Sequence, residues 1–233
     1  MYNDIAGIYL EIFPLNQAFL GFLTNYLSSS ESAVLDLGCG PGDHVDALSR
    51  SGYRSVGIDS SAVMIEQAQG KRQGAFFNLS FSEISQLEGG FECVYCVGNS
   101  LSYLPKDALQ TFLKDVFQLL KPSGIFILQV VNWDKHLQIR SSDFPINTIS
   151  DGRTFHRHYE WIDDSKVIFH TEIRKDGETL KSWADLLYPK YFETVIRDLQ
   201  SVGLTVTGQF GDYNRSTFDP NSSPAMILVT QKE

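Results

Sequence analysis

The chain reads as an α/β protein, a doubly wound and mostly parallel sheet of seven strands with an inserted antiparallel β meander. Three observations predict it. Apolar strand-like runs alternate with helical repeats from Val34 to Val131. A glycine turn, Gly38-Cys39-Gly40-Pro41-Gly42, joins the first of those runs to the first core helix. From Phe155 to Tyr188 the hydrophobic period changes from about three and a half to two.

Taken in order, Met1 to Phe13 places Tyr2, Ile5, Tyr9 and Phe13 at near-helical spacing. Pro14 is expected to start a helix, because Leu15, Ala18, Phe19, Phe22, Leu23, Tyr26 and Leu27 keep the i, i+3, i+4 repeat. Val34 to Leu37 is a short strand containing one acid, Asp36. After the glycine turn, Asp43 to Arg50 reads as a helix with Val45, Ala47 and Leu48 inward and Gly52 as its stop. Ser55 to Ile58 is a second strand, ending in Asp59. An acid at the end of the second strand, about 20 residues past the first glycine, suits a nucleoside held through its ribose hydroxyls. Pro41 has no amide hydrogen and Asp43 would repel a diphosphate, so a dinucleotide is disfavoured.

Ser60 or Ser61 can cap a helix through Gln69, with Val63, Met64 and Ala68 inward and Gly70 as its stop. Ala75 to Leu79, Phe91 to Val97 and Ile125 to Val131 are the next strands, and Lys106 to Leu120 is a sheet-covering helix broken by Pro122-Ser-Gly124. Residues 140 to 152 are loop-like. In the meander, Phe155, Arg157, Tyr159 and Trp161 share one face, Val167, Phe169, Thr171 and Ile173 share another, and Asp176-Gly177 is a hairpin turn. Pro189 to Gly203 is a final helix, and Leu204 to Phe210 and Ala225 to Thr230 are the last strands.

The 233 residues, 42% hydrophobic and 20% charged, describe an ordinary globular chain that can bury a sizeable core. A net charge of −9 argues against nucleic acid as a partner. No apolar run of ~18 residues offers a membrane span and no basic-then-apolar leader opens the chain, so a soluble cytoplasmic protein is expected. Cys39, Cys93 and Cys96 make no disulfide framework; Cys93 and Cys96 fall in a buried strand, where residues three apart face opposite ways.

The pattern acid-x-Gly-x-Gly-x-Gly from Asp36 to Gly42, with Asp59 closing the next strand, resembles the class I S-adenosylmethionine-dependent methyltransferases. Gly98-Asn99-Ser100 and Asn132-Trp133-Asp134 are similar to the Gly-Asn-Ser and Asn-Tyr-Asp runs of the glycine N-methyltransferase group. The resemblance spans nearly all of the chain outside the meander. It implies a Rossmann-like fold whose last strand runs antiparallel, with S-adenosyl-L-methionine as cofactor. Residues 1–137 would form the cofactor-binding core, 138–188 the meander over the acceptor, and 189–233 the completion of the core sheet.

By the same resemblance, Gly38, Cys39 and Gly40, next to Asp36, back the methionine part, and Asp59 beside Ser60 accepts the ribose hydroxyls. Tyr2 and Tyr9 belong to an N-terminal stretch folded over the cofactor, while Met64, Ser80, Phe81 and Val97 fall at positions beside the adenosine. Relatives usually carry an acid where Ser80 stands and Asp where Glu92 stands. Those departures leave the adenine contacts open and leave room for a cofactor-binding protein without turnover; a nucleotide-dependent oxidoreductase is a further alternative.

Methyl transfer from a sulfonium is an in-line displacement, so the protein must hold nucleophile and methyl close and collinear in a dry pocket. Asn99 can both donate and accept beside the methyl. Arg157, among Phe155, Tyr159 and Trp161, suits a carboxylate or phosphate of the acceptor, though the same residues suit an arginine packed on aromatic surface. Arg153 and Arg140 add positive charge, consistent with an anionic small acceptor. Tyr103, Trp133, Arg153, Tyr159 and Tyr213 are the acceptor-side candidates for an N- or O-methylation. His156 and His158 are expected on a solvated strand face, and no metal site is expected.

Overall fold

In the computed structural model, residues 1–140 and 144–233 are described; residues 141–143, part of the segment expected to be a loop, lie outside the described residues. The core sheet follows the order β10-β11-β5-β4-β1-β2-β3. Its central strand β1 (Ala33–Leu37) is buried along its whole length, as a strand covered on both faces must be. It pairs in parallel with β2 (Arg54–Asp59) on one side and β4 (Phe91–Cys96) on the other. Beyond these lie β3 (Ala75–Asn78) and β5 (Leu120–Val131), also parallel. The final strand, β11 (Ala225–Lys232), runs antiparallel between β5 and β10 (Leu204–Phe210).

Period-two alternation separates two apolar layers. Leu35, Leu37, Val94 and Cys96 pack beneath α6 (Lys106–Leu119) and α8 (Phe192–Ser201), through residues such as Phe112 and Leu199. Val34, Cys93 and Tyr95 meet α3 (Gln17–Thr24) and Leu48 of α4 (Asp43–Arg50) on the other face. Cys93 and Cys96 therefore face opposite ways as free, buried thiols. Because β1 continues to β2 on one side and its other neighbour is β4, the chain reverses direction of winding there, and a crevice opens at the carboxyl ends of β1 and β4.

The second sheet, in the order β6-β7-β8-β9, is an antiparallel meander of β6 (Asn147–Thr148), β7 (Thr154–Asp163), β8 (Lys166–Lys175) and β9 (Glu178–Leu187). Phe155 lies opposite Ile173 and Tyr159 opposite Phe169, so the two sequence stripes become one inner face. Asp176 and Gly177, with φ of 52° and 86°, make the tight turn between β8 and β9.

Several boundaries differ from expectation. α3 begins at Gln17 rather than Pro14 because Asn16 is its cap, the side chain accepting the Phe19 N–H at 3.0 Å. This leaves Pro14 and Leu15 in a connecting segment. Before it, two short turns, α1 (Tyr2–Ile5) and α2 (Tyr9–Ile12), flank a 3₁₀ turn, Ala6–Ile8. α5 (Ala62–Lys71), capped by Ser61, runs through Gly70, and Val63 is exposed while Met64, Ile65 and Ala68 face inward. β5 starts at Leu120, five residues before the expected Ile125. A helix, α7 (Trp133–Ile139), to which the sequence analysis assigns no element, follows β5, with Asn132 as its cap accepting the Lys135 N–H at 3.2 Å. No single helix among the described residues is long and apolar enough to cross a membrane.

Candidate active site

The glycine turn is strapped to the neighbouring strand: the Gly38 and Cys39 amides both donate to the Ile58 carbonyl, at 2.9 and 2.8 Å. Gly38 has φ +90°, and a Cβ there would sit 2.9 Å from Ser100 Oγ. At Gly42, φ is +82° and a Cβ would fall 2.5 Å from the Phe76 ring. The turn is thereby pressed between β2, the segment after β4, and the residues below β3. Its next glycine, Gly40, donates to Asp59 Oδ2 at 2.9 Å, and Asp59 Oδ1 accepts the Ser61 amide at 2.8 Å. Burial raises the Asp59 pKa and these two amides oppose the rise.

Above the turn is a cavity of roughly 1130 Å³. Tyr9 lies over Gly40, with its ring 3.7 Å from where a Cβ would be. Tyr2 meets Tyr103 edge-on at 5.9 Å, their hydroxyls 3.1 Å apart, and burial raises both phenols well above their ordinary range. Both therefore stay protonated at neutral pH. Asp36 is buried on the cavity floor, and burial pushes it up to about 8, partly offset by the Tyr95 hydroxyl. Burial thus disfavours its charged form.

Residues 34–124 match the methyltransferase domain family. YqeM of Bacillus subtilis (strain 168), which carries a methyltransferase name, is 31% identical over 160 residues, covering 65% of this chain and 62% of that protein. The glycine/sarcosine N-methyltransferase of Parasynechococcus marenigrum (strain WH8102) is 26% identical over 86% of this chain and 72% of its own length. Among solved structures, the CcbJ methyltransferase of Streptomyces caelestis superposes with a TM-score of 0.81, covering 99% of this chain and 97% of that one at 19% identity. The fold, the glycine turn and these matches agree. Residues 34–124 thus match a methyltransferase domain, and the whole chain shares the fold of S-adenosylmethionine-dependent methyltransferases. It spans less than two thirds of the length of the B. subtilis relative.

All twelve cofactor-side candidates line the one cavity: Tyr2, Tyr9, Asp36, Gly38, Cys39, Gly40, Asp59, Ser60, Met64, Ser80, Phe81 and Val97. Tyr103 and Tyr213 line it as well. The Ser80 hydroxyl donates to Glu83 Oε2 at 2.6 Å, so an acid stands three residues behind the place where relatives carry one. Glu92, the other departure, is away from the cavity. It accepts from the Ser28 amide and hydroxyl at 2.7 and 2.5 Å and from Lys121 Nζ at 2.7 Å. Those bonds overcome its partial burial and hold it at about 2.

Five candidates are not brought to the cavity. Asn99, Trp133 and Tyr159 form a buried assembly behind its wall. Trp133 Nε1 donates to Ser102 Oγ at 2.9 Å, Ser102 Oγ donates to Asn99 Oδ1 at 2.7 Å, and Tyr159 stacks on Trp133 at 5.0 Å. Asn99 also accepts the Val131 amide at 3.2 Å and sits at φ +66°, a left-handed conformation that Asn tolerates. Arg157 donates to the Pro145 carbonyl at 3.1 Å and Asn147 Oδ1 at 2.8 Å, its guanidinium among the Phe13, Phe144 and Phe155 rings. It is packed on aromatic surface, but among the described residues its partners are a carbonyl and an amide rather than the local acid expected for a packed arginine. Arg153 pairs with Asp151 at 2.7 Å in an exposed turn. On the outer face of the meander His158 stacks on His170 at 4.5 Å, and His156 meets Thr154 Oγ1 at 2.9 Å.

Of the lining residues that were not candidates, two stand out. His44 packs edge-on to Phe19 at 4.9 Å, its Nε2 is buried without a hydrogen-bond partner among the described residues, and burial lowers it to about 4. Asp185, on β9, alternates inward with Trp183 and Leu187. An acid in the inward register of a strand is a signal present in the sequence, legible once the face is known.

Proposed function

We propose that the protein transfers the methyl group of S-adenosylmethionine to a nitrogen or oxygen of a small-molecule acceptor by in-line displacement. One observation carries the reading: the glycine turn, Asp59 and the tyrosines of the N-terminal turns all open onto a single cavity large enough for cofactor and acceptor together. The lining fits the cofactor. Gly38 and Gly40 leave the floor free of side chains, and each Asp59 oxygen, having accepted one amide, keeps a lone pair for a ribose hydroxyl. Met64, Ser80, Phe81 and Val97 form the slot assigned to the adenosine end, and Tyr2 and Tyr9 close over it. The buried His44 Nε2, without a hydrogen-bond partner among the described residues, supports a polar group of the ligand beside the glycine turn.

When bound, the cofactor would supply an electrophilic methyl on a cationic sulfur. What the chain itself contributes is alignment and exclusion of water. Asn99, Ser102 and Trp133 serve as positioning residues that fix the segment carrying Tyr103, and Arg157 fixes the N-terminal turns through Phe13. The acceptor class methylated by the P. marenigrum relative supports a small-molecule acceptor here.

Calorimetry with S-adenosylhomocysteine followed by methyl release against amines, amino acids, phenols and alcohols tests this. Binding together with turnover on at least one small acceptor is expected. No affinity for S-adenosylhomocysteine sinks the cofactor reading, and affinity without methyl release from any acceptor leaves a binder without turnover.

A further inference from the structure

The cavity carries acids and no compensating base. Among the described residues lining it, five are aspartates, at 36, 43, 59, 185 and 212, and none is lysine or arginine. Four of the five are accounted for within the chain. Burial disfavours the charged form of Asp36, Asp43 pairs with Arg72 Nη2 at 2.5 Å, and Asp59 accepts two amides. Asp212 accepts from the Asn214 and Ser216 amides and the Ser216 hydroxyl, at 2.9, 3.2 and 2.8 Å.

Asp185 differs. Among the described residues its Oδ2 is buried without a hydrogen-bond partner, as is that of Asp43, but Asp185 has no ion pair to set against it. It lies beside Phe169 in the register of β9 on β8, and its charge is felt by the Tyr2 and Tyr103 hydroxyls at the cavity wall. A carboxylate oxygen taken out of water without a counter-charge is costly, and nothing in the chain relieves it. What would relieve it is a cation seated beside Asp185 against the Tyr2–Tyr103 pair, whose rings attract positive charge and whose hydroxyls can accept from it.

Resting on the methyltransferase reading above, we propose that the acceptor is an amine that enters as a cation, without a carboxylate or phosphate of its own, and that Asp185 is the residue that selects it. Asp185 holds the ammonium group against the Tyr2–Tyr103 pair and takes one proton from it on Oδ2, which frees the nitrogen lone pair for the methyl. An anionic acceptor is turned away by the same field. This reverses the charge expected for the acceptor from the sequence, because Arg157 and Arg153 both lie outside the cavity.

The test uses the full chain saturated with S-adenosylhomocysteine and titrates it calorimetrically with benzylammonium and with benzoate, two probes of like size and opposite charge. Benzylammonium is expected to bind at least about ten-fold more tightly than benzoate, and Asp185→Asn to lose about ten-fold of that affinity while keeping its affinity for S-adenosylhomocysteine. Equal or stronger binding of benzoate, binding of neither probe, or an unchanged benzylammonium affinity in a folded Asp185→Asn overturns the assignment. The wild-type comparison decides even should the variant fail to fold. Loss of S-adenosylhomocysteine binding by the wild type instead removes the cofactor reading itself, and the two failures are read from separate titrations.

Discussion

The two walls of the cavity are made in different ways. The cofactor wall comes mostly from one run of chain, β1 through β2, where turn, helix cap and terminal acid are neighbours in sequence and are locked by backbone bonds such as Gly38 and Cys39 to Ile58. The opposite wall is assembled from α1, the segment after β4, β9 and the connection before β11, which meet only in the folded state. Tight local geometry makes the first wall a fixed socket. The second is held by side chains behind it, the Trp133–Ser102–Asn99 relay and the Arg157 cluster, and so its specificity can change while the socket does not.

That contrast can be broken in a graded series. The largest effect is expected from Trp133→Ala, which empties a fully buried site and orphans Ser102, at about 3–5 kcal/mol of stability in denaturant unfolding. Were Trp133 instead an acceptor contact, the change would appear in KM with stability intact. Asp59→Ala comes next, weakening S-adenosylhomocysteine by about 100-fold, or ~2.7 kcal/mol, in calorimetry, with little change in unfolding midpoint. An undiminished affinity would separate the socket from the cofactor.

Arg157→Ala should lower stability by about 1–2 kcal/mol through lost packing and hydrogen bonds, and leave the KM of any accepted substrate unchanged. A raised KM would return the arginine to the acceptor. Last, Glu92 sharpens the comparison from outside the cavity. Its folded pKa of about 2 lies below the ordinary 4.5, so the stability it contributes is full above about pH 4.5 and is lost as pH falls toward 2. The stability gap between wild type and Glu92→Gln should accordingly close over that window in acid unfolding, with cofactor affinity at neutral pH untouched.

Where the sequence misled, the cause is specific. Trp133 and Asn99 sit at the ligand edge of the sheet, as expected from strand ends, yet Asn132 starts α7 and turns the Trp133 ring into the core, where it stacks on Tyr159 from the meander. Pro14 suggested a helix start, but the Asn16 side chain competes for the Phe19 amide and sets the start three residues later. Arg157 was placed on the correct face of β7; what covers that face, Phe13 and Asn147, could not be known from β7 alone.

By itself the sequence determined the sheet, the turn and the acid that closes β2, because strand and helix periods, glycine conformations and short-range hydrogen bonds are properties of adjacent residues. Tertiary structure alone decided which inward side chains meet ligand and which meet protein. That choice depends on what lies across the gap, and for Asp185 as for Arg157 facing groups come from chain ten or more residues away in sequence.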